Sequence, residues 1–191
     1  MKPLFFLLIV LVFIGCKKET LRQPPAQQME YKDLQQKEIG YNEFTRLDLD
    51  DNGTLDVAFT TYHIGDPLMQ MDKIQFCAKS LIDSYFPVTA DDNVQMLNNG
   101  DWITTKSKTN YEWYQITLLV MAQKNIPLSG SVYWTGNWKS AHHNYLPVQL
   151  DKQGKRYNGW VELSYDIERE KIILHRSAIS KIANMDIKAG L

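Results

Sequence analysis

The chain is poor in cysteine, in net charge and in recognisable catalytic motifs. It has two cysteines in 191 residues, Cys16 and Cys77. If Cys16 is used by an N-terminal signal, Cys77 stands alone and no internal disulfide forms. Its run, Lys73-Ile74-Gln75-Phe76-Cys77-Ala78, reads as strand, with Cys77 as a small buried hydrophobe. The formal net charge is −1, from 21 basic and 22 acidic residues. No basic excess is present to hold a phosphate backbone, which excludes nucleic acid as a partner. No nucleophile elbow, zinc-protease helix or phosphate loop occurs. No internal repeat is visible, and only Leu4 to Ile14 forms a long apolar run.

That run is too short and wrongly flanked for a stable membrane span. It follows Met1-Lys2 and ends at Gly15-Cys16, with polar Lys17, Lys18 and Glu19 behind it. A small residue, a cysteine and polar residues after an apolar run resemble a bacterial lipoprotein signal, in which the cysteine becomes the lipidated N-terminus. The departure is Phe13, where leucine is usual. The expectation is a signal at residues 1–15, lipid on Cys16, and attachment to the bacterial outer membrane on its periplasmic or cell-surface face. Each buried methylene of an acyl chain contributes about 0.8 kcal/mol, so two chains anchor stably.

Residues 16–39 read as a flexible tether, with Pro24-Pro25, several glutamines and few large apolar residues. A short helix over Met29 to Lys37 is weakly signalled. From residue 40 to 191 the pattern turns to strands separated by Asn, Asp and Gly clusters. Val161, Leu163, Tyr165 and Ile167 alternate with Glu162, Ser164 and Asp166, which places the first set inward. In Tyr111 to Ala122 the parity of Tyr114, Ile116, Leu118, Val120 and Ala122 is wholly apolar, which predicts a single strand facing the core. With 44% hydrophobic residues the chain can bury one good core. The predicted fold is all-β: a single antiparallel β-sandwich, jelly-roll-like, of about eight strands.

The candidate metal site is Asp48-Leu49-Asp50-Asp51-Asn52-Gly53-Thr54-Leu55-Asp56. Calcium takes six to eight oxygens, with carboxylates at alternate loop positions and glycine at the sharp turn. Counting Asp48 as one, Asp50 is three, Asn52 five, Gly53 six, Thr54 seven through its carbonyl, and Asp56 nine. Position twelve is Phe59, where a helix–loop–helix site needs a bidentate glutamate. The loop therefore predicts a structural calcium site between strands, of affinity about 10⁻⁴ M. The competing reading is a plain hairpin, since Asn-Gly between strands is a strong turn signal.

Aromatics make up 12% of the chain and crowd residues 111–145. Trp134 and Trp138 sit among Gly130, Gly136 and Asn137, which predicts exposed rings for a glycan, a peptide or a partner protein. His142-His143 read as a loop pair, because neighbours on a strand point to opposite sides. His63 and His175 read as isolated. Glu162 and Asp166, four residues apart on one strand, lie about 13 Å apart, too far for a glycosidase acid/base pair.

Three pieces together resemble small secreted or lipid-anchored β-sandwich proteins of Bacteroidetes-type bacteria: Phe44 to Phe59, Tyr145 to Tyr165, and the ending Ile187 to Leu191. Those proteins carry one early aspartate-rich loop, a late Tyr-Gly-Trp strand and a terminal Ala-Gly. Here Asn158 interrupts that strand step, giving Tyr157-Asn158-Gly159-Trp160, which questions the register there. The resemblance implies location and fold, and no settled activity. The combined expectation is an envelope lipoprotein displaying a calcium-stabilised binding module. The alternatives are a polysaccharide-active hydrolase or lyase, and a structural part of an outer-membrane assembly.

Overall fold

Alternating apolar and polar side chains turn most of the chain beyond residue 28 into strand. The structure is a computed structural model and describes residues 28–191; the expected signal at residues 1–15 and Cys16 lie outside the described residues. Among these there are thirteen strands and no α-helix. A six-stranded sheet has the spatial order β1 (Met29–Ile39), β12 (Lys171–Ser180), β11 (Lys155–Asp166), β10 (Asn144–Lys152), β5 (Ser84–Val88), β7 (Glu112–Tyr114). A five-stranded sheet runs β2 (Phe44–Leu47), β3 (Val57–Asp66), β4 (Met71–Ser80), β8 (Leu119–Pro127), β9 (Tyr133–Thr135). A two-stranded ribbon pairs β6 (Trp102–Ile103) with β13 (Ile187–Lys188). Every pairing between strands is antiparallel, and the two large sheets pack as a sandwich.

The main core lies between the sheets. Phe59 and Phe76 enter it from the five-stranded sheet, and Leu146, Val148, Val161, Leu163 and Leu174 from the other. A second apolar cluster covers part of the outer face of the six-stranded sheet. There Trp160, Tyr145 and Ala178 pack with Ile103, Ile187 and Ala189 from the ribbon. The sheet is therefore buried on one face and half-covered on the other, and this places a polar patch beside the second cluster.

The sandwich agrees with the sequence; several details differ. The expected tether ends early, because residues 29–39 form β1, an edge strand on β12, neither tether nor helix. The strand count is thirteen, not about eight. The stretch Tyr111 to Ala122 is broken: β7 belongs to one sheet and β8 to the other. Ile116 marks the crossing, its carbonyl accepting the Ser80 N–H at 2.9 Å. Tyr114, Leu118 and Val120 face outward, whereas Leu119 and Met121 are 1% exposed. The sheet change buries Leu119 in place of Leu118, and a bulge at Met121 turns both Met121 and Ala122 inward, so Ala122 alone of the β8 members of the expected set is buried. Ile167 lies past the end of β11 and is 42% exposed, not inward. At Asn158 the register is unbroken, with Asn158 opposite Gln149 and Gly159 opposite Val148. Buried Asn158 is satisfied by Gln149, Thr105 and Met185. Gly159 is required for close packing, since a Cβ there would lie 2.6 Å from the Ala178 carbonyl.

Candidate metal centre

The acidic stretch is the connection between β2 and β3. Its base is closed by the Leu47–Val57 pair and by the Asp56 N–H donating to the Leu47 carbonyl at 2.8 Å. Leu49, 1% exposed, plugs the loop into the main core. With both ends fixed and the middle pinned, the intervening carboxylates must converge. One oxygen each from Asp48, Asp50 and Asp56 lies within 4.8 Å of the other two.

The loop is held by its own hydrogen bonds. The Gly53 N–H donates to Asp48 Oδ2 at 2.7 Å, and Gly53 adopts φ of 85°, where a side chain is disfavoured. Asn52 and Asp50 N–H groups lie 3.3 Å from Asp48 Oδ1. Burial opposes ionisation of Asp48, but the N–H groups of Gly53, Asn52 and Asp50 outweigh it and hold the carboxyl below its usual range. Asp56 behaves oppositely. It is 3% exposed, and burial pushes its carboxyl up to about 6, against the Leu49 N–H and with the charges of Asp50 and Asp48 adding to the rise.

Two lysines reach the loop from the opposite sheet. Lys152, at the end of β10, pairs with Asp50 and lies over the Tyr157 ring. Lys32, in β1, donates to the Asp48 carbonyl and, at 2.6 Å, to Asp51 Oδ1. Lys32 is thus paired with the exposed Asp51, and the three convergent carboxylates share Lys152, which leaves two negative charges among them. That is the charge of one divalent cation. The donor set fits a hard oxygen-seeking ion, and such an ion would help hold the β2–β3 connection against β1 and β10 of the six-stranded sheet.

Of the five expected ligands, the three carboxylates, Asp48, Asp50 and Asp56, come together. Asn52 is exposed and turned into the loop, with Oδ1 accepting the Thr54 N–H at 2.6 Å and Nδ2 donating to Asp50 Oδ2 at 3.1 Å. Thr54 is exposed. Phe59 is a fully buried core residue of β3, so the twelfth position cannot supply a ligand in this fold.

No protein-family model matches this chain. No curated protein and no solved structure matches it either.

The aromatic platform is corrected. Trp138 is 0% exposed and belongs to the main core. Trp134 is half-buried against Phe76 and Tyr165, at ring distances of 5.9 and 5.6 Å. The cause is the turn between them: Gly136, at φ of 94°, lies so close to Met121 that a Cβ would sit 2.4 Å from its carbonyl. The turn folds back over the sheet edge and tucks Trp138 under it. Cys77 is buried as expected, and burial pushes its thiol up to about 12, which leaves it inert as a nucleophile.

His142 and His143 lie in the loop before β10, as read, but His175 is not isolated. His143 has φ of 52°, so the alternation of neighbouring side chains fails. Its ring stacks on His175 at 4.0 Å and lies 4.9 Å from His142. Its Nδ1 is 2.7 Å from Glu162 Oε1, and Arg176 pairs with the other oxygen. The one available signal was the outward parity of Glu162 and Ser164, a polar face beside buried neighbours. Asp166 takes no part: it caps the next turn through the Arg169 N–H at 2.9 Å.

Proposed function

We propose that this protein is a lipid-anchored module of the bacterial envelope, with a β-sandwich whose acidic loop takes up calcium as a structural ion and whose surface binds an extracellular or periplasmic ligand. The observation that carries the reading is the meeting of Asp48, Asp50 and Asp56 between the two sheets with two charges left uncompensated. Export supplies the calcium: a site of about 10⁻⁴ M affinity fills outside the cell and not in the cytosol. The apolar run Leu4 to Ile14 ending at Gly15-Cys16 supports export and lipidation.

Two measurements test it. Calcium should raise the melting temperature of the chelated protein, and Asp50→Ala should remove the effect; identical melts with calcium and with chelator would refute the metal. Cys16→Ser should move the protein from the membrane fraction to the soluble fraction, and persistence in the membrane would refute the anchor.

A further inference from the structure

We infer that the outer face of the six-stranded sheet holds a binding site for a carboxylate-bearing saccharide, with Arg176, His143 and Gln36 as donors and Tyr31 as the surface for a sugar ring. The inference rests on the reading of the protein as a binding module and names its ligand class.

Three backbone departures converge there. In β12, Arg176 pairs with Asp33 on one side and Glu162 on the other, while Leu174 pairs with Lys37 and Leu163. His175 is the extra residue between them, opposite neither neighbour. Such a bulge turns two successive side chains to one face, so His175 and Arg176 both point outward. In the facing part of β1, Gln35 and Gln36 have φ of 55° and 54°, and Gln36 Oε1 reaches His175 Nδ1 at 2.7 Å. From the other side, His143 at φ of 52° lays its ring on His175. Non-glycine residues rarely adopt this conformation. Three of them surround the His175 side chain, and together with the bulge they bring Gln36, His143, His175 and Arg176 to one face.

The side chains are locked before any ligand arrives. His175 Nε2 lies 2.8 Å from Ser164 Oγ, and that oxygen accepts the His143 N–H at 2.9 Å. Glu162 is held by His143 and Arg176 together. Preorganisation of this kind lowers the entropy lost on binding.

The chemistry follows from what remains exposed. The concavity is about 470 Å³ and is lined by Tyr31, Asp33, Gln36, His143, Glu162 and Arg176. His143 and Arg176 keep 50% and 45% of their side chains exposed, whereas Glu162 keeps 7%. Donors face outward and their acid partner lies beneath them. The exposed acid, Asp33, already accepts the Gln35 N–H at 2.8 Å. Lys32 at the rim is committed to Asp51. A ligand that brings acceptors fits the exposed donors, and a carboxylate matches a guanidinium beside an imidazole, with Asp33 the one exposed like charge in the lining. Tyr31, 45% exposed, offers an aromatic face at the same rim, which suits a pyranose ring.

The test is calorimetric titration of the full chain in detergent micelles with calcium present. The probes are uronate trisaccharides (galacturonate, mannuronate, glucuronate), their neutral methyl esters and inorganic phosphate. At least one acidic trisaccharide should bind, and its ester at least tenfold more weakly. His143→Ala and Arg176→Lys should each weaken binding at least tenfold, and Gln36→Ala severalfold, with melting temperatures within a few degrees of the parent. A variant that fails to fold is replaced by His143→Gln, which keeps the size of the ring. No binding of any acidic trisaccharide overturns the site, as does equal binding of the ester or full binding by the His143 variants. Phosphate binding as tight as the saccharide overturns the saccharide assignment in favour of a general anion site. Any of these results with calcium-dependent melting and membrane attachment intact leaves the envelope reading standing; loss of those two properties, with binding retained, overturns that reading alone.

Discussion

Replacing Asp56 with asparagine separates the charge of the acidic loop from its shape. The amide retains an oxygen for the Leu49 N–H, which Asp56 Oδ2 now accepts at 2.7 Å, but it cannot ionise. Asp56 rises from 3.8 to about 6 on folding. The folded protein therefore holds this proton more tightly than the unfolded chain does. Between pH 3.8 and about 6 the folded state carries the extra proton, and stability falls as pH rises through that window. Above it the full penalty stands, about 3 kcal/mol at 1.36 kcal/mol per tenfold change in proton affinity. In chelator at pH 7, Asp56→Asn should thus be more stable than the parent by up to about 3 kcal/mol, or roughly 6–12 °C for a domain of this size. The gap should close near pH 4. Carboxylates held below their usual range, such as Asp48 and Glu162, titrate in both proteins and cancel in the difference. Millimolar calcium should raise the parent and leave the variant unmoved, and its effect should grow from pH 5 to 7 because binding displaces the Asp56 proton. Circular-dichroism melts across pH, with and without calcium, read all of this. A variant less stable than the parent in chelator at pH 7, or a gap independent of pH, would refute the reasoning.

Two further outcomes follow from packing. Gly159→Ala should lower stability by about 2–4 kcal/mol, because its Cβ meets the Ala178 carbonyl and the Ile179 backbone at 2.6 and 3.3 Å, both rigid; an unchanged urea midpoint would show that the strands can separate. A chain that starts at Gly40 loses β1 and the burial of Met29 and Ile39, which should lower stability by at least about 3 kcal/mol relative to one that starts at Gln28; equal midpoints would return residues 29–39 to the role of a tether.

What could be read from the sequence was what is local. Asp48, Asp50 and Asp56 lie within nine residues, so their spacing alone brings them near one ion. Along β11 the alternation of Val161, Leu163 and Tyr165 with Glu162 and Ser164 is unbroken, and the strand was legible. β1 was not, because an edge strand half open to solvent tolerates Gln and Lys throughout, and the double left-handed turn at Gln35–Gln36 erases its period of two. Trp138 sits in a passage with the composition of a surface turn, and only the close approach of Gly136 to Met121 buries it. The polar patch draws on residues 36, 143, 162 and 175, which strand pairing alone brings together. The bulge at His175 has no local marker.

The acidic loop and the polar concavity are not independent, because both use β1. Lys32 binds the loop through the Asp48 carbonyl and Asp51, and it lies between Tyr31 and Asp33 on the rim of the concavity. β1 is an edge strand, with β12 as its sheet neighbour, and its ladder is interrupted between Asp33 and Lys37. Its N-terminal half, Met29 to Asp33, is laddered to β12 on one side alone, so the Lys32 contacts add a second tie to that segment. A cation that neutralises Asp48, Asp50 and Asp56 keeps the loop closed and Lys32 seated, which fixes Tyr31 and Asp33 in turn. By linkage, a ligand that orders Tyr31 and Gln36 must strengthen cation binding by the same factor. A cation in the loop would then do more than pin one hairpin: it would set how firmly one wall of the concavity is built.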